Sequence, residues 1–436
     1  MKRAAMQELN NWKDNKHKKP LIIRGARQVG KTWLMKEFGR TAYQNTVYIN
    51  FENNRRMKEL FSIDLNVERL IMGLELYCGK KIDPVNTLLM FDEVQEVPRA
   101  LTSLKYFNEN APQYQIVCAG SLMGVALHQG TSFPVGKVEF LDLYPLSFFE
   151  FMTALGKGRF ADILVSGDFD MAHTFRQTYI DLLKQYYYVG GMPESVLRFS
   201  ENKDWSEVRE IQERILAAYE QDFSKHAPNG TVPRIRMLWS SIPAQLAKEN
   251  KKFIYGQIRE GARAREYELA LQWLVDCGLI YKVHRATAPQ IPLIAYIDMS
   301  AFKLFMVDVG LLSCMSGLKP DVLLDGNRLF REFKGALSEQ YVLQQLISQK
   351  GLNTYYWKNE RNTLEIDFLV SDGQSVVPLE VKAEISLQSK SLKAFRDKFS
   401  PPLSVRTAMI DYKKEGWLLN LPLYAIGAMS EEVFGD

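Results

Sequence analysis

Apolar positions fall into two periods over the first third of the chain. Leu21-Ile22-Ile23, Thr46–Phe51, Leu88–Phe91 and Gln115–Ser121 are short runs of strand length, and a further strand is expected over Phe133–Leu141. Between them, helical spacing predicts an entry helix over 4–13 with Ala5, Leu9 and Trp12 on one face, a helix from Lys31 to Gly39 and another from Glu68 to Tyr77. Strand and helix in alternation argue for an α/β fold with a parallel sheet covered on both faces.

The pattern then changes. Helical stretches over Ala172–Tyr188 and Trp205–Phe223 flank Gly190-Gly191-Met192-Pro193, where two glycines before a proline mark a stop and a hinge. From Arg234 to Gly317 the expected order is helix Ile235–Asn250, short helix Ile254–Gly261, helix Glu266–Cys277 stopped by Gly278, and strands Leu279–Val283 and Leu293–Ile297 around a Pro289–Pro292 turn. Three helices and a hairpin in that order read as a winged helix. Beyond it, a helix over Phe333–Leu346 precedes strands at Tyr355–Trp357, Leu364–Val370 and Val376–Lys382, the last two joined by an Asp372-Gly373 turn.

Composition changes the picture little. At 436 residues the chain is long enough for two to four domains with buried cores. Cys78, Cys118, Cys277 and Cys314 form no CxxC pair, and the five histidines share no metal or triad spacing, so a zinc site, a disulfide framework and a histidine-based hydrolase are not indicated. No apolar run reaches membrane-spanning length, and the basic N-terminus lacks the apolar core of a signal peptide, so a cytoplasmic protein without membrane association is expected. Net charge is +4; Lys2, Arg3, Lys13, Lys16, Lys18 and Lys19 against Glu8 and Asp14 place that whole excess in the first twenty residues.

The chemistry begins directly after the first apolar run. Gly25-Ala26-Arg27-Gln28-Val29-Gly30-Lys31-Thr32 has the full Walker A spacing between an expected strand and an expected helix. Glycines let the backbone aim successive N–H groups at phosphate oxygens, and the opening helix adds its positive end. Lys31 is the expected ligand of the terminal phosphates and the Thr32 hydroxyl of Mg²⁺. The strand ending in Asp92-Glu93 supplies a metal-holding carboxylate and a base for the attacking water. Ser121, the last residue of the Gln115–Ser121 strand, is open between a sensor of the terminal phosphate and a capping serine.

Lys19–Phe38, Phe91-Asp92-Glu93-Val94-Gln95, Ala119-Gly120-Ser121 and Gly191-Met192-Pro193 together resemble the bacterial and archaeal AAA-family ATPases that carry a C-terminal domain of unknown function. The Gly-Met-Pro piece also resembles the signature of STAND-type switch ATPases. The resemblance implies ATP as ligand, ATP hydrolysis, and a homo-oligomer in which a neighbour's arginine completes each site. It also implies an order of parts: a P-loop NTPase core over 1–155, a helical lid over 156–233, a winged-helix module over 234–320, and a small α/β domain over 325–436.

Arg259, Arg263, Arg265, Lys282, His284 and Arg285 gather near the expected recognition edge of the winged helix, diluted by Glu260, Glu266 and Glu268, which leaves DNA contact and a packing role both open. In the last domain, period-two alternation puts Glu365 and Asp367 on one strand face and Glu380 and Lys382 on its partner's. Two carboxylates converging from a hairpin suit Mg²⁺, with a lysine beside them to polarise a phosphate. Glu339, Asp367, Glu380 and Lys382 resemble the core of the restriction-endonuclease and Holliday-junction-resolvase superfamily, with Ile366 where proline usually precedes the aspartate. Three functions therefore stand: an Mg²⁺-dependent ATPase coupled to its C-terminal domains, an ATP-gated metal-dependent nuclease, and a STAND-like switch acting through a protein partner.

Overall fold

The computed structural model describes residues 1–120, 133–247, 252–324, 331–359, 364–383 and 389–435. The chain divides into two compact units, Lys2–Tyr144 with Asp276–Leu279, and Pro145–Val275 with Ile280–Asp436.

The first unit is built on β1 (Leu21–Arg24), β2 (Asn45–Asn50), β3 (Thr87–Asp92), β4 (Gln115–Ala119) and β5 (Glu139–Asp142). They lie in the order β2-β3-β4-β1-β5, every pairing parallel. Every residue of β3 is buried, as expected of a central strand covered on both faces. Phe51, Phe61 and Phe91 meet edge to face at 5.4–6.2 Å, joined by Leu70, Leu74, Leu104 and Phe107 from the covering helices. Each such side chain contributes about 1.5–3 kcal/mol when fully buried. Because the strands are parallel, the loops after β1 and β3 open at the same edge, and β4 ends between them. Ser121 itself lies outside the described residues.

The strand expected over Phe133–Leu141 is shorter than its apolar run. Pro134 and Gly136 (φ 72°) form a turn closed by Val135 N donating to Phe133 O at 2.8 Å and Lys137 N to Pro134 O at 3.0 Å. Only Glu139–Asp142 pairs with β1.

The second unit carries β6 (Ile280–Ala286), β7 (Ile297–Met306), β8 (Asn353–Lys358), β9 (Glu365–Ser371), β10 (Val376–Val381), β11 (Ser404–Ala408), β12 (Lys413–Glu415) and β13 (Leu418–Pro422). They make one mixed sheet, β12-β13-β11-β10-β9-β8-β6-β7. The hairpin expected as a wing, β6–β7, continues through β8 into the strands of the expected nuclease-like part. Two details differ from the sequence reading. Tyr255–Gln257 is a single 3₁₀ turn where a short helix was expected, and Leu293–Tyr296 is another, the strand starting at Ile297. An apolar run of five residues cannot by itself distinguish strand from helical turn.

The helices Arg176–Val189, Pro193–Asn202 and Trp205–His226 also lie in this unit. The hinge expected at Gly190-Gly191 is a braced corner. Asp308 accepts hydrogen bonds from Gly191 N at 2.7 Å, Leu311 N at 3.0 Å and Gln344 Nε2 at 2.9 Å, while Leu146 N donates to Gly191 O at 2.7 Å. Gly190 holds φ 72°, and a Cβ on it would stand 2.1 Å from Asp308 Oδ1. The glycines let three backbone segments close around one buried carboxylate; the carboxyl is raised above its ordinary range by burial, with the Gly191 and Gln344 bonds opposing that rise.

Candidate functional site

Gly25 (φ 145°), Gln28 (φ 66°) and Gly30 (φ 96°) turn the chain between β1 and the helix Lys31–Ala42. A Cβ on Gly25 would lie 2.2 Å from Leu143 O, so no other residue fits. The loop is braced from outside the motif: Arg3, nearly buried, donates to Val29 O at 3.0 Å and to Tyr144 O at 2.6 Å. The basic leader thus contributes one cation to the loop's support.

Lys31 is 6% exposed and donates to Gly25 O at 2.9 Å and Ala26 O at 2.7 Å. Burial lowers its pKa to about 8, against the raising pull of Glu93 and Asp92. The ammonium is therefore held inside the loop on neutral carbonyls, where an anionic group would be a stronger partner.

Thr32 and Asp92, sixty residues apart, meet: the Thr32 hydroxyl donates to Asp92 Oδ2 at 2.8 Å. Tyr48 on β2 donates to the same oxygen at 2.7 Å, and Glu93 N to Asp92 Oδ1 at 3.1 Å. Burial, then the bond to Asp92, pushes the Tyr48 phenol well above its ordinary pKa, so it remains a donor. Glu93 holds φ 49°, a left-handed backbone that costs of order 1 kcal/mol in a non-glycine residue and clusters at functional sites. Its Oε2 accepts from Gln95 Nε2 at 2.5 Å. Gly25 through Thr32, Asp92 and Glu93 are thus brought to one sheet edge. Tyr48, Gln95 and Arg3 join them, and sequence reasoning assigned them no role because each acts through a contact that spacing does not reveal. A hydroxyl and a carboxylate oxygen side by side are a donor set that fits Mg²⁺.

The second constellation also converges. Asp367 Oδ2 accepts from Val381 N at 2.8 Å, Lys382 Nζ lies 2.9 Å from Glu380 Oε1, and Glu380 is buried with Oε2 lacking any hydrogen-bond partner. A buried, half-satisfied carboxylate beside a second one fits a hard divalent cation. Glu339, from the helix Arg331–Ile347, is engaged by Lys303 of β7 at 3.5 Å. Among the described residues no group of three or more His, Cys, Asp or Glu side chains is disposed to hold a metal ion.

The expected basic edge is largely occupied. Arg259 pairs with Glu266 at 3.1 Å and Arg285 with Asp298 at 2.6 Å. Lys282 lies 4.5 Å from the centre of the Phe302 ring, and burial lowers the pKa of Lys282 and His284. No helix among the described residues is long and apolar enough to cross a membrane.

Residues 17–152 match the model of the AAA domain, residues 180–322 a domain of unknown function (DUF8612) and residues 334–424 another (DUF4143). No curated protein matches the chain. Among solved structures, a Walker-type ATPase of Pyrococcus abyssi is 15% identical over 71% of this chain and 94% of its own, with a TM-score of 0.46. Cdc6p of Pyrobaculum aerophilum is 11% identical over 77% and 93%, at 0.21, and a Drosophila ORC structure bound to DNA is 14% identical over 71% and 85%, at 0.29. Over residues 17–152 the chain is therefore similar to the AAA domain.

Proposed function

We propose that this protein is an Mg²⁺-dependent ATPase that couples its nucleotide state to the C-terminal unit. The observation that carries the reading is the 2.8 Å bond between Thr32 and Asp92, which joins the two halves of a metal–nucleotide site. Lys31 leaves the Gly25 and Ala26 carbonyls for the terminal phosphates. Thr32 and Asp92 would hold Mg²⁺, which would supply charge neutralisation at the phosphates; Tyr48 keeps Asp92 oriented. Glu93 orients the attacking water and takes its proton, and Ser121 reads the phosphate.

Coupling is supported by the path of the chain. Asp276–Leu279 belongs to the ATPase unit, where Gly278 (φ 69°) would place a Cβ 3.3 Å from Ala26 N of the phosphate loop. The same four residues connect the helix Ala264–Asp276 to β6. A loop that shifts on binding phosphate would pull directly on that connection. Phosphate release from ATP and Mg²⁺, with and without double-stranded, single-stranded and branched DNA and with Lys31→Ala as blank, tests the reading. Absence of release above the blank in every condition removes it.

A second reading is favoured by the orphaned Glu380 Oε2 beside Asp367: metal-dependent phosphodiester cleavage, with Lys382 polarising the scissile phosphate. Asp367 and Glu380 would hold the metal, which supplies charge stabilisation at the phosphate. Incubation of supercoiled and branched DNA with Mg²⁺ or Mn²⁺ tests it; intact DNA throughout, with an Asp367→Asn control, contradicts it.

A further inference from the structure

The turn after β3 is short and pinned. Glu93 holds φ 49°, and Val94–Glu96 follow as a single 3₁₀ turn, closed by Glu96 N donating to Glu93 O at 3.0 Å and Val97 N to Val94 O at 3.2 Å. Val94 and Val97 are buried in the core of the first unit, which anchors the turn. Its left-handed first residue lets two side chains that lie two apart in the chain meet: Gln95 Nε2 donates to Glu93 Oε2 at 2.5 Å. An ionised carboxylate can only accept, which fixes the sense of the amide, with Nε2 on Glu93 and Oε1 beside it on the same carbon. Gln95 Oε1 is buried and, among the described residues, accepts no hydrogen bond. A buried acceptor without a donor carries its full desolvation cost, and a water shared with Glu93 would remove that cost.

We propose that Gln95 is the second holder of the attacking water: its Oε1 accepts one of the water's hydrogens while Glu93, held by its Nε2, accepts the other. The inference rests on the ATPase reading and gives a part to a residue which that reading leaves without one. A water gripped by a single acceptor still rotates about that bond. With both hydrogens engaged its lone pairs have fixed directions, and the two acceptors sit on one anchored turn at the sheet edge that carries the phosphate loop. In the step itself the water oxygen forms a bond to the terminal phosphorus, and the bond to the bridging oxygen breaks, leaving ADP. One proton passes to Glu93; the other stays on the product phosphate, facing Gln95 Oε1. An amide suits this task because it offers a donor and an acceptor side by side and carries no charge to repel the phosphates. Since it faces the water and Glu93 and not the nucleotide, Gln95 acts on the rate of the step through the geometry of attack and leaves nucleotide affinity alone.

Two fluoride complexes of ADP, titrated with Mg²⁺ onto the full chain, test this. Aluminium fluoride with ADP stands in for the phosphoryl group in transfer and holds a water at the attacking position; beryllium fluoride with ADP stands in for the bound terminal phosphate and holds none. Gln95→Met keeps the side chain's length and removes both amide groups. It should bind the aluminium fluoride complex about 10–100-fold more weakly than the parent, the range of one hydrogen bond to a charged group, and the beryllium fluoride complex equally well. Its kcat for phosphate release should fall by a similar factor with KM for ATP unchanged. Gln95→Glu, which keeps the shape and polarity of the side chain but sets a like charge against Glu93, should show the same split and guards against a variant that merely misfolds. Equal weakening of both complexes in the two variants would make Gln95 a support of the loop and overturn the proposal, as would turnover equal to the parent's. Those results leave the ATPase reading standing. Phosphate release by the parent no higher than by Lys31→Ala removes that reading, and the part of Gln95 with it.

Discussion

Binding of nucleotide should draw a proton onto Lys31. In the structure the buried ammonium donates to two carbonyls and titrates near 8, whereas an unfolded lysine titrates near 10.5. A drop of that size corresponds to about 3 kcal/mol of penalty on the charged form. The sign follows: the folded-state value is lowered, so the penalty is fully present below pH 8 and fades as pH rises from 8 towards 10.5, where the unfolded chain also loses its proton. Phosphate oxygens beside Lys31 reverse the penalty and return its pKa above the working range. At pH 8 about half of the free protein lacks this proton, so binding takes up about half a proton; at pH 7 the uptake is about a tenth, and at pH 9 about nine tenths. The terminal phosphate of the ligand, with a second pKa near ~6, is already ionised at pH 8 and above. Isothermal titration with a non-hydrolysable ATP analogue, in buffers of different ionisation enthalpy, reads the uptake directly. A value near zero at both pH 8 and pH 9 would refute the assignment of Lys31 as a buried, phosphate-seeking ammonium.

Other consequences are equally direct. Tyr48→Phe removes a donor to the Asp92 carboxylate, a bond worth about 1.5–3 kcal/mol; the Mg²⁺ concentration for half-maximal ATP turnover should rise about tenfold or more, and an unchanged metal requirement would remove Tyr48 from the site. Gly191→Ala drives a Cβ to 2.2 Å from Leu146 O and should lower stability by about 1–3 kcal/mol in urea denaturation, whereas Gly230→Ala, with open space around it, should stay within about 0.5 kcal/mol. Asp308→Ala leaves the buried Gly191 N–H and the Gln344 amide without this acceptor, at about 1–3 kcal/mol each; a midpoint equal to the parent's would show the corner to be unbraced.

The first unit was legible because its signals are local. Leu21-Ile22-Ile23 before Gly25, and Leu88–Phe91 before Asp92, give strand, loop and chemistry in one stretch, and parallel order then forces both loops to one edge. What spacing could not show is which distant side chains support them. Tyr48 reads as an ordinary strand aromatic, and only the pairing of β2 with β3 brings its hydroxyl to Asp92. Arg3 reads as one more cation in a basic leader, yet it is nearly buried against Val29 O. The Asp367, Glu380 and Lys382 pattern was visible from alternation and Glu339 from a resemblance, while Lys303 was not, since a lone lysine among Phe302, Leu304 and Phe305 gives no hint of the carboxylates it will face. The joined eight-stranded sheet was hidden for the same reason: β6 and β8 are sixty-odd residues apart and share only a short parallel register. The hinge at Gly190-Gly191 was inferred from backbone freedom, but the freedom is used up in a close approach to Asp308.

The central claim is that Glu93 activates water in a site assembled by Lys31, Thr32 and Asp92. Glu93→Gln preserves the side chain's shape and removes its basicity, so its steady-state phosphate release compared with the parent's, alongside ATP affinity, is the most direct measurement. Turnover reduced by at least about 10²-fold with ATP affinity retained is the predicted result. Unchanged turnover in Glu93→Gln would contradict the account.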